Sequence, residues 1–195
     1  MGARMYFIKR ENGKWKAIYS HWGADIIKGL ASNKDVIKTV YEGNHEKFNE
    51  ILNKTVKELI DEELNRPDSI ISYSNNLKGL IDLKDICIEA YFIDNNKSKF
   101  LIYVFISEEV NGCVLTEIKT AYDLISLTRI YRKYKSFIDV ASESLEADVI
   151  KKMLLRYHLK YNNDKVMLFF DGEKIFDSVL KLIEQQQEIR QVVYF

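Results

Sequence analysis

The sequence predicts an α+β fold: a mixed or antiparallel sheet of about five strands covered by helices, built as one domain over residues 1–195. Three observations carry that expectation. Runs of branched and aromatic residues are separated by turn residues, Asn12-Gly13 in one place and Asn95-Asn96 in another. Between them lie longer stretches whose apolar residues recur at three- and four-residue steps, the helical period. The chain carries one proline and eight glycines, too few for a many-turned sandwich or a disordered linker.

Residues 4–10 and 14–21 read as a β-hairpin about Glu11-Asn12-Gly13, because a type I′ turn needs positive φ at both central positions and Asn-Gly accepts it. A helix over 24–31 follows Trp22-Gly23, and a second short helix follows Ser32-Asn33 and ends near Gly43. The clearest helix is 45–65, where Phe48, Ile51, Leu52, Val56, Leu59, Ile60 and Leu64 share a face. Asn44 is its expected N-cap and Pro67 its stop. Residues 68–84 show no clear period, and Ser72 to Asn76 reads as loop.

Residues 85–93 and 99–106 form a second hairpin about Asp94-Asn95-Asn96, and the unbroken apolar run Phe100–Ile106 reads as a central strand buried on both faces. Val110 to Ile118 reads as a strand interrupted at Asn111-Gly112. A helix over 120–138 is expected to turn Tyr122, Ile125, Ile130, Tyr134 and Phe137 inward. A further helix spans 144–160, a strand Asp164–Phe170 turns at Asp171-Gly172, and a last helix over 174–188 precedes the apolar end Val192–Phe195.

Hydrophobic residues make up 47%, enough for a sizeable core. The 29 basic and 29 acidic side chains cancel, so no global field draws the chain to nucleic acid or anionic membrane. The two cysteines, Cys87 and Cys113, sit in apolar contexts and read as buried thiols of a reducing compartment. The opening residues lack a basic region followed by a long apolar stretch, so no signal peptide is expected. The apolar run at Phe100–Ile106 falls far short of the ~20 residues that span a bilayer. Tyr6 occupies the position where myristoylation favours Ser or Thr. The expected location is therefore cytoplasmic, with no membrane association.

The residues singled out for function lie on the first hairpin. If Asn12-Gly13 is the two-residue turn, Glu11 faces Lys14, Arg10 faces Trp15, Ile8 faces Ala17, Tyr6 faces Tyr19 and Arg4 faces His21. Alternation then projects Arg4, Tyr6, Tyr19 and His21 from one face, with cross-strand Cβ atoms ~5 Å apart. Arg4 offers a planar fork for phosphate or carboxylate. His21 donates a hydrogen bond or exchanges a proton. Tyr6, Tyr19 and Trp22 supply a stacking wall. At Gly23 the backbone lies open to close approach by a ligand. In the plainer alternative these aromatics are core and rim residues, His21 ends a strand, and Arg4 pairs with an acid such as Asp25. Two potential cations opposite each other need a counter-charge under either reading.

Gly2-Ala3-Arg4, Tyr6, Glu11-Asn12-Gly13 and Tyr19-Ser20-His21-Trp22-Gly23-Ala24 together resemble the start of a family of small uncharacterised bacterial proteins. Those proteins open with Gly-x-Arg-Ala-Asn-Tyr, continue into Tyr-Tyr-Ser-His-Trp-Gly or Ala, and carry a late Leu-Phe-Phe-Gly strand. Leu168-Phe169-Phe170-Asp171-Gly172 is similar to that later element, while Met5 departs from the Ala-Asn of the pattern. The likeness covers about 24 residues at the N-terminus and about six near position 170. No activity is established for the family. What it implies is that Arg4, Ser20, His21 and Trp22 belong to one unit.

Other signals are weaker. Arg129, Arg132, Lys133 and Lys135 interleave with Tyr131 and Tyr134, a pattern that suits either nucleic acid or a solvated helix face with tyrosines turned inward. The zero net charge favours the solvated face, so nucleic acid is not the expected partner. His21, His45 and His158 are far apart and no metal-ligand spacing occurs, so no metal or cofactor is expected. Asp82, Asp85 and Glu89, near a strand, offer oxygens for Mg²⁺, but scattered acids of this kind are usually surface residues. Phosphate-loop, dinucleotide-loop and nucleophile-elbow motifs do not occur. The function expected is non-enzymatic: a binding or regulatory protein taking a small anionic ligand or a protein partner at the N-terminal hairpin. The alternative is a small enzyme acting on a nucleotide or other phosphate ester, with His21 as acid or base and Arg4 holding the anion.

Overall fold

Asn12 (φ 49°) and Gly13 (φ 77°) both adopt positive φ, the geometry a type I′ turn demands, and they join β1 (Met5–Glu11) to β2 (Lys14–Ser20). Tyr6 faces Tyr19, Ile8 faces Ala17 and Glu11 faces Lys14, the register expected from the turn. The computed structural model describes residues 2–81, 90–106, 110–141, 143–161, 166–170 and 173–185, the side chains of 105–106, 111, 157–161, 166–170 and 173–176 excepted. The hairpin arm expected at 85–89, Cys87, the acids Asp82, Asp85 and Glu89, the turn at Asp171-Gly172 and the end Val192–Phe195 lie outside those residues.

Helices α1 (Gly23–Leu30) and α2 (Lys34–Glu42) follow the hairpin. Asn33 caps α2, its Oδ1 accepting from Asp35 N at 2.8 Å, and Gly43 closes it with φ 62°. Helix α3 (His45–Leu64) is capped by Asn44 as expected, Oδ1 accepting from Lys47 N at 2.9 Å. Phe48, Leu52 and Leu59 are buried, with Ile51, Val56 and Ile60 partly so. Leu64 breaks the expected stripe: it is 38% exposed, and Glu63 takes the buried place beside it. Ser20 Oγ donates to Glu63 Oε1 at 2.8 Å and Arg66 Nε lies 3.5 Å from Glu63 Oε2, so the carboxylate is compensated where it is buried.

The segment read as loop at 72–76 instead holds β3 (Ile71–Ser74), paired antiparallel with β2. It is an edge strand of four residues among the described strands, and its apolar members Ile71 and Tyr73 are exposed, so no core-facing run marks it in sequence. Strands β4 (Ala90–Asp94) and β5 (Lys99–Ile106) form the second hairpin. The buried Asn95 Oδ1 accepts from Lys97 N and Ser98 N in the turn, and its Nδ2 donates to Ile183 O. Strand β6 (Asn111–Glu117) runs without the expected interruption, since Gly112 keeps ladder partners on both sides, Phe105 and Phe170.

Helices α4 (Ala121–Ala141) and α5 (Ala147–Tyr161), strand β7 (Val166–Phe170) and helix α6 (Glu173–Glu184) complete the described residues. On α4 the buried face is Leu124, Leu127, Tyr131, Tyr134 and Ile138. Tyr122, expected to point inward, is 51% exposed, while Ile130 and Phe137 only flank the core. Tyr103 and Tyr131 stack at 4.2 Å, and the Lys28 ammonium lies 5.3 Å from the Tyr131 ring.

The described strands form one sheet in the order β3-β2-β1-β4-β5-β6-β7. It has seven strands rather than about five, and it is mixed: β1 and β4 are parallel and the other neighbours antiparallel. The long excursion through α1–α3 and β3 permits the parallel pair, which a tight turn cannot make. One face packs Met5, Phe7, Phe92 and Tyr103 beneath helices α1–α5. The other packs Ile8, Trp15, Tyr91 and Ile102 against α6 and the 3₁₀ turn Leu77–Gly79. Among the described residues no helix is long and apolar enough to cross a membrane.

Candidate functional site

Ala3, Met5 and Phe7 belong to the core beneath α1–α5, so alternation sends Arg4 and Tyr6 to the opposite face. Tyr19, directly across the ladder from Tyr6, projects there too, and their rings lie 5.3 Å apart, tilted by 60°. A residue not singled out from sequence joins them. Parallel pairing sets Tyr91 of β4 beside Tyr6, stacked at 5.8 Å and 16°. Beyond Tyr19, His21 continues the row: its Nδ1 and the Tyr19 hydroxyl are hydrogen-bonded at 3.3 Å. Trp22 meets the imidazole edge-on at 4.9 Å.

Five rings therefore run in contact from the core to solvent, with Tyr91 fully buried at one end and Trp22 48% exposed at the other. A methyl at Gly2 would fall 2.3 Å from His21 Nε2, so the imidazole rests directly on the Gly2 backbone. The start of the chain is tied down there, Ala24 N donating to Ala3 O at 3.1 Å and Ala90 N to Arg4 O at 3.2 Å. Of the residues read from sequence, Tyr6, Tyr19, His21 and Trp22 come into contact, while the β1–β2 ladder closes at Met5–Ser20, one pair short of the expected Arg4–His21 pairing. Gly23 is set elsewhere: it is buried, and a Cβ on it would lie 3.0 Å from Ser20 and 3.1 Å from Met5. Its small size lets α1 pack closely on the helix-covered face. Ser20 likewise points to that face, toward Glu63. Asp25, the alternative counter-charge for Arg4, pairs with Lys28 at 3.8 Å along its own helix.

Tyr91 escapes sequence reading because only the β1–β4 pairing brings it to Tyr6. On α4, Tyr122, Arg129, Arg132 and Lys133 line a shallow surface groove with Tyr131 and Tyr134 turned into the core. Cys113 is buried, and burial pushes its thiol up to about 12. Among the described residues no group of three or more His, Cys, Asp or Glu is arranged to hold a metal ion.

Compared with known proteins, the chain matches no family model, no curated protein and no solved structure.

Proposed function

We propose that this protein is a non-enzymatic binding or regulatory protein that takes a small anionic ligand at the open end of the N-terminal hairpin. The observation that supports the reading is the ring row Tyr91–Tyr6–Tyr19–His21–Trp22; Arg4, just before β1, is the cation proposed to serve it. Rings in a continuous row offer faces and edges for a flat ligand, while a guanidinium and an imidazole donor suit its anionic group. The row ends at a half-exposed tryptophan, where a ligand arriving from solvent would meet it. Nucleic acid is not the partner proposed, since the formal net charge is zero.

Native mass spectrometry of protein purified from its own host tests the proposal. A stoichiometric low-mass anionic adduct, reduced in Trp22→Ala, is the expected result. Adduct-free protein that also ignores a panel of nucleotides and carboxylates in thermal-shift assays would contradict it. An adduct that is converted on incubation would favour the phosphate-ester enzyme, with His21 as acid or base.

A further inference from the structure

The opposite face of the same hairpin carries a second feature, independent of the ring row. Between α3 and the turn end of β1, β2 and β4 lies a cleft of about 390 Å³, within the size range of small-molecule sites. Its floor is apolar: the Phe7 and Phe92 rings, 6.2 Å apart, and Ile18. Val56 and Ile60 of α3 form the wall. The rim is cationic, four lysines against two acids: Lys9, Lys16 and Lys99 on strand ends and Lys57 on α3, with Glu11 and Asp94.

Lys9 and Lys16 are direct ladder partners, and like charges opposite one another in an antiparallel pair are destabilising. Lys9 is offset by Glu11 at 3.6 Å, and Lys99 donates to Asn53 Oδ1. Among the described residues no ion pair engages Lys16 or Lys57. Burial in the cleft wall lowers the Lys99 ammonium below its ordinary range, with Asp94 opposing. A surplus of positive charge thus overhangs an apolar floor, and the low-dielectric wall strengthens the pull on an anion there.

We propose that this cleft binds a small amphipathic anion, an aromatic or short-chain apolar body carrying one carboxylate- or sulfonate-type group. The body lies on Phe7 and Phe92 beneath α3, and the anionic head meets Lys16 and Lys57 at the mouth. The anion relieves the Lys9–Lys16 opposition as it binds.

The test uses the full chain and two probes of one skeleton, anionic 1-anilinonaphthalene-8-sulfonate and neutral N-phenyl-1-naphthylamine. They are titrated by fluorescence against wild type, the double variant Lys16→Glu/Lys57→Glu, and Arg4→Ala, with thermal melts confirming that each is folded. The expected result is saturable one-to-one uptake of the sulfonate, weakened by salt, and at least about tenfold weaker in the double variant. The neutral probe should bind wild type and double variant alike, and Arg4→Ala should bind both probes as wild type does. Absence of saturable sulfonate binding would overturn the proposal. So would a folded double variant that binds the sulfonate like wild type, equal losses for both probes, or loss in Arg4→Ala alone.

Discussion

Tyr19 and His21, two residues apart at the end of β2, share a hydrogen bond of 3.3 Å between the phenol hydroxyl and Nδ1, while the imidazole rests on Gly2. The bond fixes the ring between a phenol and a glycine backbone, on the face that also holds Tyr6. Tyr19→Phe removes the partner of Nδ1 and should cost about 1 kcal/mol or less, since the pair is only partly buried. Gly2→Ala should displace the imidazole by sterics alone. Both variants should fold and both should shift the His21 side-chain nitrogen resonances; unchanged resonances would mean that neither contact positions the ring.

Ser20 looks to the other face and donates to the buried Glu63 at 2.8 Å. Ser20→Ala leaves that carboxylate short of a donor and should destabilise by about 1–3 kcal/mol, as measured by denaturant melts. Arg66 remains 3.5 Å from the same carboxylate and limits the loss. A neutral effect would show that the serine hydroxyl is dispensable and that Arg66 alone compensates Glu63.

Leu59 and Ile60 fall on the inner side of α3 but are not equivalent. Leu59 is 6% exposed, whereas Ile60 is half-buried and lines the cleft. Leu59→Asp should unfold the protein, because an unpaired buried carboxylate costs several kcal/mol, comparable to a domain's whole stability. Ile60→Asp should leave it folded with a lowered melting temperature. Equal melting temperatures for the two variants would place the helix face wrongly.

Burial holds the Cys113 thiol at about 12 against an ordinary 9.0. Between those values the unfolded chain has lost a proton that the folded chain keeps, so stability falls as pH rises through that window. Cys113→Ala should flatten the alkaline decline in melting temperature. Iodoacetamide at neutral pH should label the Cys113 peptide only after denaturation, as read by mass spectrometry. Labelling of the native protein at Cys113 would contradict its burial.

Local chemistry made part of this structure legible from the chain. Asn12-Gly13 set the register of β1 and β2 because that dipeptide strongly favours a type I′ turn, and Asn44 announced α3 through its side-chain cap. Strand β3 was hidden because four residues are too few to fix a period and its apolar members, Ile71 and Tyr73, face solvent. Leu64 is exposed where the stripe expected it inward, and the neighbouring Glu63 is buried because a hydroxyl on β2 compensates its carboxylate. Tyr91 and the lysine-rimmed cleft depend on which strands and helix become neighbours, and no local spacing encodes the β1–β4 pairing or the seat of α3. The candidate residues were legible where turn register alone places them, at Tyr6, Tyr19 and His21, and not where packing decides, at Gly23.

The central claim is that Arg4 serves a ligand at the hairpin end rather than the stability of the fold. Its most direct test measures melting temperature and host-derived adduct on the same Arg4→Ala protein. The account predicts a melting temperature close to wild type together with loss of the anionic adduct. An Arg4→Ala protein that melts well below wild type, or that stays folded and keeps the adduct in full, would contradict it.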